Sequence, residues 1–219
     1  MILVPVKNLA QAKQRLGSAM PQSARTQLAQ AMTHDVLSAI TEWGKMPCAV
    51  VTGDGWVRDL AGRLGIEVMA DPHDAGETGA IEMATRNCVA RGCEFTLVLP
   101  ADIPLLGMAD LDAIAGHRPA RGSLLVPAAD GRGTNAALRS PADLFPLRFG
   151  NDSFLPHMAA ARGTDLPCVV IDLPGIALDV DRPEDLPQLA LEPGETLAQQ
   201  FVREFLRREE LLPTGSGPA

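Results

Sequence analysis

Short apolar runs alternate along this chain with stretches whose apolar residues recur three and four positions apart. Runs too short for helices, interleaved with segments periodic at 3.6, confine the chain to α/β layered folds. The strand candidates are residues 2–6, 48–52, 66–70, 95–100, 123–127 and 167–171. Between the first two, Leu28, Met32, Val36, Ile40 and Trp43 mark one face of a helix that Gly44 stops. Further helices are expected over 56–64, 78–91, 108–115 and 153–162.

Glu192-Pro193-Gly194 then punctuates the chain. Residues 1–190 read as one domain and 191–212 as a charged helical extension, with Leu197, Phe201, Phe205 and Leu206 on one stripe. The extension is expected to cover the core, with a homodimer contact through it left open. Residues 213–219 read as a disordered tail. A chain of 219 residues buries enough core to fold without disulfide or metal staples. Cys48, Cys88, Cys93 and Cys168 form no C-x-x-C pair and lie in or beside apolar segments, so reduced thiols in a cytoplasmic protein are expected.

Charge excludes another class. The 19 Lys and Arg stand against 27 Asp and Glu, a net charge of −8, and no basic stripe offers phosphate contacts to nucleic acid. No apolar run approaches the roughly 18 residues a membrane helix needs. Met1 to Lys7 lacks the basic region of a signal peptide, so no membrane partner is expected.

Four constellations carry chemistry. Lys7, Lys13 and Arg15 follow the first strand, where open α/β sheets bind ligands, and cations there suit a polyphosphate; a solvated basic loop is the bland alternative. Asp102 ends an apolar strand between Pro100 and Pro104, a rigid carboxylate suited to Mg²⁺ beside phosphate oxygens. Asp110 is better placed to cap the next helix. Asp179 and Asp181 flank Val180, so in extended chain both carboxylates point to one side and can join Asp102 around a metal. Thr134 and Asn135 follow a glycine loop, and Arg148, Gly150 and Ser153 open a later helix, together an anion pocket or, more plainly, a hairpin turn and an N-cap. His34, His73, His117 and His157 have no nucleophile or metal-ligand partner at useful spacing, so no role is assigned to them.

In order, VPVK and AKQRL, LPADIPLL, GRGTNAALR, RFGNDSF and ALDVDRPEDL resemble the CofC/FbiD guanylyltransferases, which make the deazaflavin coenzyme F-420. The resemblance spans residues 1–187 and implies a three-layer αβα, GT-A-like (Rossmann-like) nucleotidyltransferase fold with a mixed, mostly parallel central sheet. It implies transfer of GMP from GTP to 2-phospho-L-lactate, phosphoenolpyruvate or 3-phospho-D-glycerate, with Mg²⁺ and release of pyrophosphate. It makes Asp102 the metal aspartate, with Asp179 and Asp181 as partners, and Lys7, Lys13 and Arg15 the face toward the triphosphate. Thr134, Gly150 and Ser153 match phosphoacid positions, and Gly76, Thr78 and Gly79 lie in the base and ribose region.

Two stretches depart from the family pattern. Residues 71–82 lack its Leu-Asn-Ala-Ala, and Asp152 precedes Ser153 where the family tends to read Gly-Pro-Gly-Ser. A hydroxylated acid such as 3-phosphoglycerate would give Asp152 a partner. Molybdopterin and sugar-phosphate nucleotidyltransferases are disfavoured because no glycine occurs from Lys7 to Leu16. A non-catalytic nucleotide sensor is disfavoured because all three aspartates are kept.

Overall fold

Ile2–Val6 is buried at every position, as a strand covered on both faces must be, and it lies inside the sheet with a strand on either side. The computed structural model describes residues 1–71, 76–150 and 152–209. The expected tail at 213–219 and the end of the expected helix at 210–212 lie outside the described residues.

Strand β1 (Ile2–Val6) pairs in parallel with β2 (Cys48–Thr52) on one side and β4 (Thr96–Val98) on the other. β3 (Glu67–Ala70) extends the sheet past β2, also in parallel. Beyond β4 lies β6 (Thr134–Ser140), antiparallel to both β4 and β5 (Gly122–Pro127). β7 (Cys168–Val170) pairs in parallel with β5, giving the order β3-β2-β1-β4-β6-β5-β7. The mixed, mostly parallel sheet expected from the sequence is what the chain builds.

Side-chain alternation sorts the core into two layers. Ile2, Val4, Leu124 and Leu138 face a layer made by α1 (Gln22–Trp43), α2 (Gly55–Leu64), α4 (Met108–Gly116), α6 (Pro174–Ala177), α7 (Asp185–Leu191) and α8 (Leu197–Arg208). Leu3, Val51, Leu125 and Ala137 face α3 (Gly76–Ala90) and α5 (Phe154–Arg162). Helix α1 stops at Gly44, whose φ of 59° is left-handed and whose N–H returns to the Ile40 carbonyl.

The C-terminal helix is stitched to this core. Asp35 on α1 accepts the Leu197 and Ala198 amides at 3.0 and 2.8 Å, a carboxylate on two unsatisfied helix N–H groups. Ala198, Val202 and Leu206 then pack into the same apolar layer as α1.

One element differs from expectation. Thr134 and Asn135 read as the exit of a glycine loop, yet they open β6, buried throughout. Sheet interior stabilises a run of weak strand formers here, and tertiary burial outweighs propensity. Its Arg139 guanidinium bonds the Phe145 carbonyl at 2.7 Å and the Thr85 and Thr96 hydroxyls at 2.9 and 3.1 Å.

Candidate active site

Strand order reverses between β1 and β4, since the chain runs outward through β2 and β3 and returns to the other side of β1. At such a switch point the loops leaving the two carboxyl ends diverge and open a crevice. Here a cavity of about 600 Å³ is lined by Lys7, Lys13, Arg15, Glu77, Asp102 and Asp181, among others.

The loop after β1 is held by what it buries and what it caps. Leu9 and Leu16 enter the core. The Asp54 carboxylate, which caps α2 by accepting the Val57 amide, also accepts the Leu9 amide at 3.0 Å. Between them Lys13 takes φ 55°, costly for a side chain with a Cβ. That turn sends its ammonium inward, 2.7 Å from Asp102 and 2.7 Å from Asp181, with Arg15 3.3 Å from Asp181. Val180 donates its amide to the Asp102 carbonyl at 3.0 Å, which fixes the Asp179–Asp181 segment against the β4 exit.

Charge is dense here, and it shifts the carboxyls unequally. Burial opposes the Lys13 charge, but Asp102 and Asp181 outweigh it and hold the ammonium above the ordinary lysine value. Burial would raise Asp181, yet Lys13 and Arg15 hold it below the usual carboxylate range. Asp179 is pushed up to about 6 by burial and by the charges of Asp102 and Asp181. Glu77, to which the sequence reading gave no role, is pushed up to about 7 by burial and then by Asp102. Among the described residues no three carboxylate, imidazole or thiolate groups converge as a ready metal cage. Lys13 bridges Asp102 and Asp181 instead.

A second polar cluster gathers where β6 meets α5. β6 carries one extra residue where its register against β5 slips, with Val126 opposite Ala136 and Pro127 opposite Thr134. The bulge re-aims two neighbouring side chains. The Asn135 amide donates to the Ile176 and Ala177 carbonyls at 2.7 and 3.1 Å, so it holds the segment leading to Asp179. Thr134 meets Ser153 and His157, at 3.1 Å and 3.0 Å. The Arg148 amide donates to His157 Nε2 at 2.9 Å, and Phe149 sets its ring edge-on to the imidazole.

The remaining sequence candidates fall around these two clusters. Gly76 lines the main cavity. The Thr78 hydroxyl accepts the Phe149 amide at 3.1 Å, tying α3 to the loop that carries Arg148 and Gly150. Gly79 lies in the first turns of α3, half-buried. Gly150 has φ 131°, a conformation side chains rarely adopt. The Asp152 carboxylate grips the Arg132 guanidinium, one branch at 3.1 Å, and that contact lowers its pKa. With the Phe154 amide on the Arg132 carbonyl at 2.9 Å, the pair latches the two loops.

His157 was missed because its partners are distant in sequence. It is 1 % exposed, and burial, then Arg139, pushes its pKa down to about 4. An unfolded histidine titrates near 6.5. As pH falls from 6.5 toward 4, the unfolded chain takes a proton that the folded chain refuses. Stability contributed above pH 6.5 is therefore lost across that window, on the order of 2–3 kcal/mol. Urea midpoints of the parent should fall more steeply between pH 7 and 4.5 than those of His157→Asn; parallel curves would contradict it.

Comparison with known proteins gives these clusters a context. A family model described as "Guanylyl transferase CofC like" matches residues 1–210. A phosphoenolpyruvate guanylyltransferase of Roseiflexus sp. (strain RS-1) is 37% identical over 94% of this chain and 92% of its own. A 3-phospho-D-glycerate guanylyltransferase of Colwellia psychrerythraea is 34% identical, covering 87% and 90%. A 2-phospho-L-lactate guanylyltransferase of Methanothermobacter thermautotrophicus is 32% identical, covering 93% and 89%. Among solved structures, a Desulfovibrio desulfuricans G20 protein described as a nucleotide-diphospho-sugar transferase superposes with a TM-score of 0.74 at 18% identity, covering 94% of this chain and 96% of that one. That likeness speaks for the fold. The match along residues 1–210, with relatives above 30% identity over most of both chains, places this protein in the CofC-like guanylyl transferase family.

Proposed function

We propose that this chain transfers GMP from GTP to the phosphate of a three-carbon phosphoacid, releasing pyrophosphate, as a step of coenzyme F-420 biosynthesis. The observation that carries the reading is the Lys13 ammonium held 2.7 Å from both Asp102 and Asp181 at the strand switch point. A cation so secured stays charged and faces the crevice that a triphosphate would fill.

The chemistry asks for charge control and alignment. A phosphate oxygen of the acid attacks the α-phosphorus, and the bond to pyrophosphate breaks in line. A phosphate monoester is ionised at neutral pH, so no general base is needed. Lys7, Lys13 and Arg15 would neutralise the departing pyrophosphate, and Thr134 and Ser153 would hold the acid. The first turn of α3 joins the two sites: Gly76 and Glu77 line the main cavity, while Thr78 holds Phe149 of the acceptor loop. Alignment of two bound substrates supplies a large part of the rate.

The donor set suits Mg²⁺. It is all oxygen, and Mg²⁺ commonly takes one or two protein carboxylates with phosphate oxygens completing the shell. Asp102 and Asp181 would hold it, with Asp179 beside them, and the ion would supply neutralisation of the triphosphate.

The relatives are named for three different acids, so the acceptor is tested directly. Pyrophosphate release is measured with GTP and Mg²⁺ against phosphoenolpyruvate, 2-phospho-L-lactate and 3-phospho-D-glycerate. Turnover with at least one acid, lost when GTP is replaced by CTP or UTP, is expected. No release with any of the three would overturn the reading.

A further inference from the structure

The cluster of Thr134, Ser153 and His157 contains an imbalance of protons. The Arg148 backbone N–H can only donate, and it points at His157 Nε2 from 2.9 Å. Nε2 therefore carries no proton, and the single proton of the neutral ring sits on Nδ1. Nδ1 lies 3.0 Å from Thr134 Oγ1, so the ring donates to the hydroxyl and offers it no lone pair. Thr134 and Ser153 share one bond at 3.1 Å, which consumes one of their two hydroxyl protons. The other hydroxyl proton has no protein acceptor among the described residues. Its owners are 5 % and 4 % exposed.

A buried donor left unmatched keeps its full desolvation cost. The opposite imidazole tautomer would have accepted the Thr134 proton and removed the imbalance. The backbone of Arg148 forbids that tautomer. Burial and the nearby Arg139 also keep the ring neutral, so it does not gain a second proton at neutral pH.

The geometry points to His157 as a positioning residue: locked in its Nδ1–H tautomer by the Arg148 amide, it makes the Thr134–Ser153 pair a net donor aimed at an anionic oxygen of the acceptor substrate. This rests on the reading of this pocket as the phosphoacid site, and it goes beyond that reading by assigning the residue that sets the polarity of the pocket. His157 does not touch the reacting atoms. It acts through the hydroxyls, and through the loop that begins at Arg148.

Two variants separate the halves of the ring. An asparagine amide reaches the place of Nδ1 and a glutamine amide the place of Nε2. His157→Asn keeps a donor toward Thr134, whereas His157→Gln keeps an acceptor for the Arg148 amide and withdraws the donor. His157→Gln is expected to raise the KM for the phosphoacid about tenfold or more, as loss of a hydrogen bond to a charged group does, with the KM for GTP within about twofold of the parent. His157→Asn should recover most of that loss. Equal defects in the two variants, or a GTP KM that rises in step with the acid KM, would mean a merely structural histidine and overturn the proposal.

A second measurement needs neither turnover nor a variant that folds well. Long-range ¹H–¹⁵N correlation of the histidine side chains of the parent protein at pH 7 reads the tautomer of each ring directly. His157 should give the pattern of a protonated Nδ1 and a bare Nε2, and a ring protonated on Nε2 instead would overturn the proposal. Because this readout is independent of catalysis, failure of the tautomer and failure of guanylyl transfer are told apart. If the ring has the expected tautomer but no phosphoacid is turned over, the functional reading falls, and with it the role assigned to His157.

Discussion

Lys13→Ala should lower kcat/KM for GTP by about 10³-fold, the loss expected when one preorganised charged donor is taken from developing charge. Its ammonium sits where Asp102 and Asp181 converge, and its own turn is bought with a left-handed backbone. Without it, Asp102, Asp179, Asp181 and Glu77 lose the ammonium that bridges two of them, and Lys7, Arg15 and Arg182 are left to offset their charge. The variant should therefore be less stable than the parent at pH 8, by about 1–2 kcal/mol once partial hydration of the acids is allowed for. The space left by the ammonium is open to a divalent cation. Thermal melts should show Mg²⁺ raising the Tm of Lys13→Ala in the absence of nucleotide, and raising that of the parent much less. Activity within threefold of the parent, or a melting point indifferent to Mg²⁺, would count against the arrangement.

Asp102→Asn should be as damaging to turnover, about 10³-fold in kcat, but with little effect on stability. The carbonyl oxygen of the substituted amide still accepts from Lys13, whereas the negative charge that raises Glu77 and Asp179 is gone. The sign can be followed with pH. In the parent, both carboxyls keep protons in the folded state above the value of the unfolded chain. As pH rises from about 4.5 to 7, the unfolded chain loses those protons first, so stability falls across that window. Asp102→Asn lowers both folded values and shallows that decline. Urea unfolding of the two proteins at pH 5 and pH 7 checks this, and an equal decline in both would be the contrary result.

Several parts of the fold were open to reading from composition and spacing because strands buried on both faces must be apolar throughout. Ile2–Val6 and Cys48–Thr52 are such runs, and their bounds match the expectation. β6 was hidden because its residues, Thr-Asn-Ala-Ala-Leu-Arg-Ser, are poor strand formers that only a sheet interior and specific acceptors accommodate. The direction of Thr134 was hidden for a related reason. An extra residue in the strand breaks strict alternation, and no sequence rule places a bulge opposite Pro127.

The site was partly visible. A carboxylate at the end of an apolar strand and cations after the first strand are local patterns, and Lys13, Asp102 and Asp181 do meet. That Lys13 would bridge the acids required the turn at φ 55°. His157 depends on contacts to Thr134 and Arg148 that only the tertiary fold creates. Asp54 was missed as well, since its second bond, to Leu9, joins the N-terminus of α2 to the loop after β1. Asp152, expected beside a substrate hydroxyl, also pairs with Arg132 across two loops, a contact that no local pattern announces.

Tracing the α-phosphorus of GTP shows which bond the protein makes. GTP labelled with ³²P at the α position is incubated with the protein, Mg²⁺ and each of the three phosphoacids, and the labelled product is isolated. The label should move into a species that resists phosphatase, because its phosphorus is bridged to the acid's phosphate, and should be freed by phosphodiesterase as labelled GMP. Label recovered directly as free GMP, with no diester formed, would show water as the acceptor and contradict guanylyl transfer.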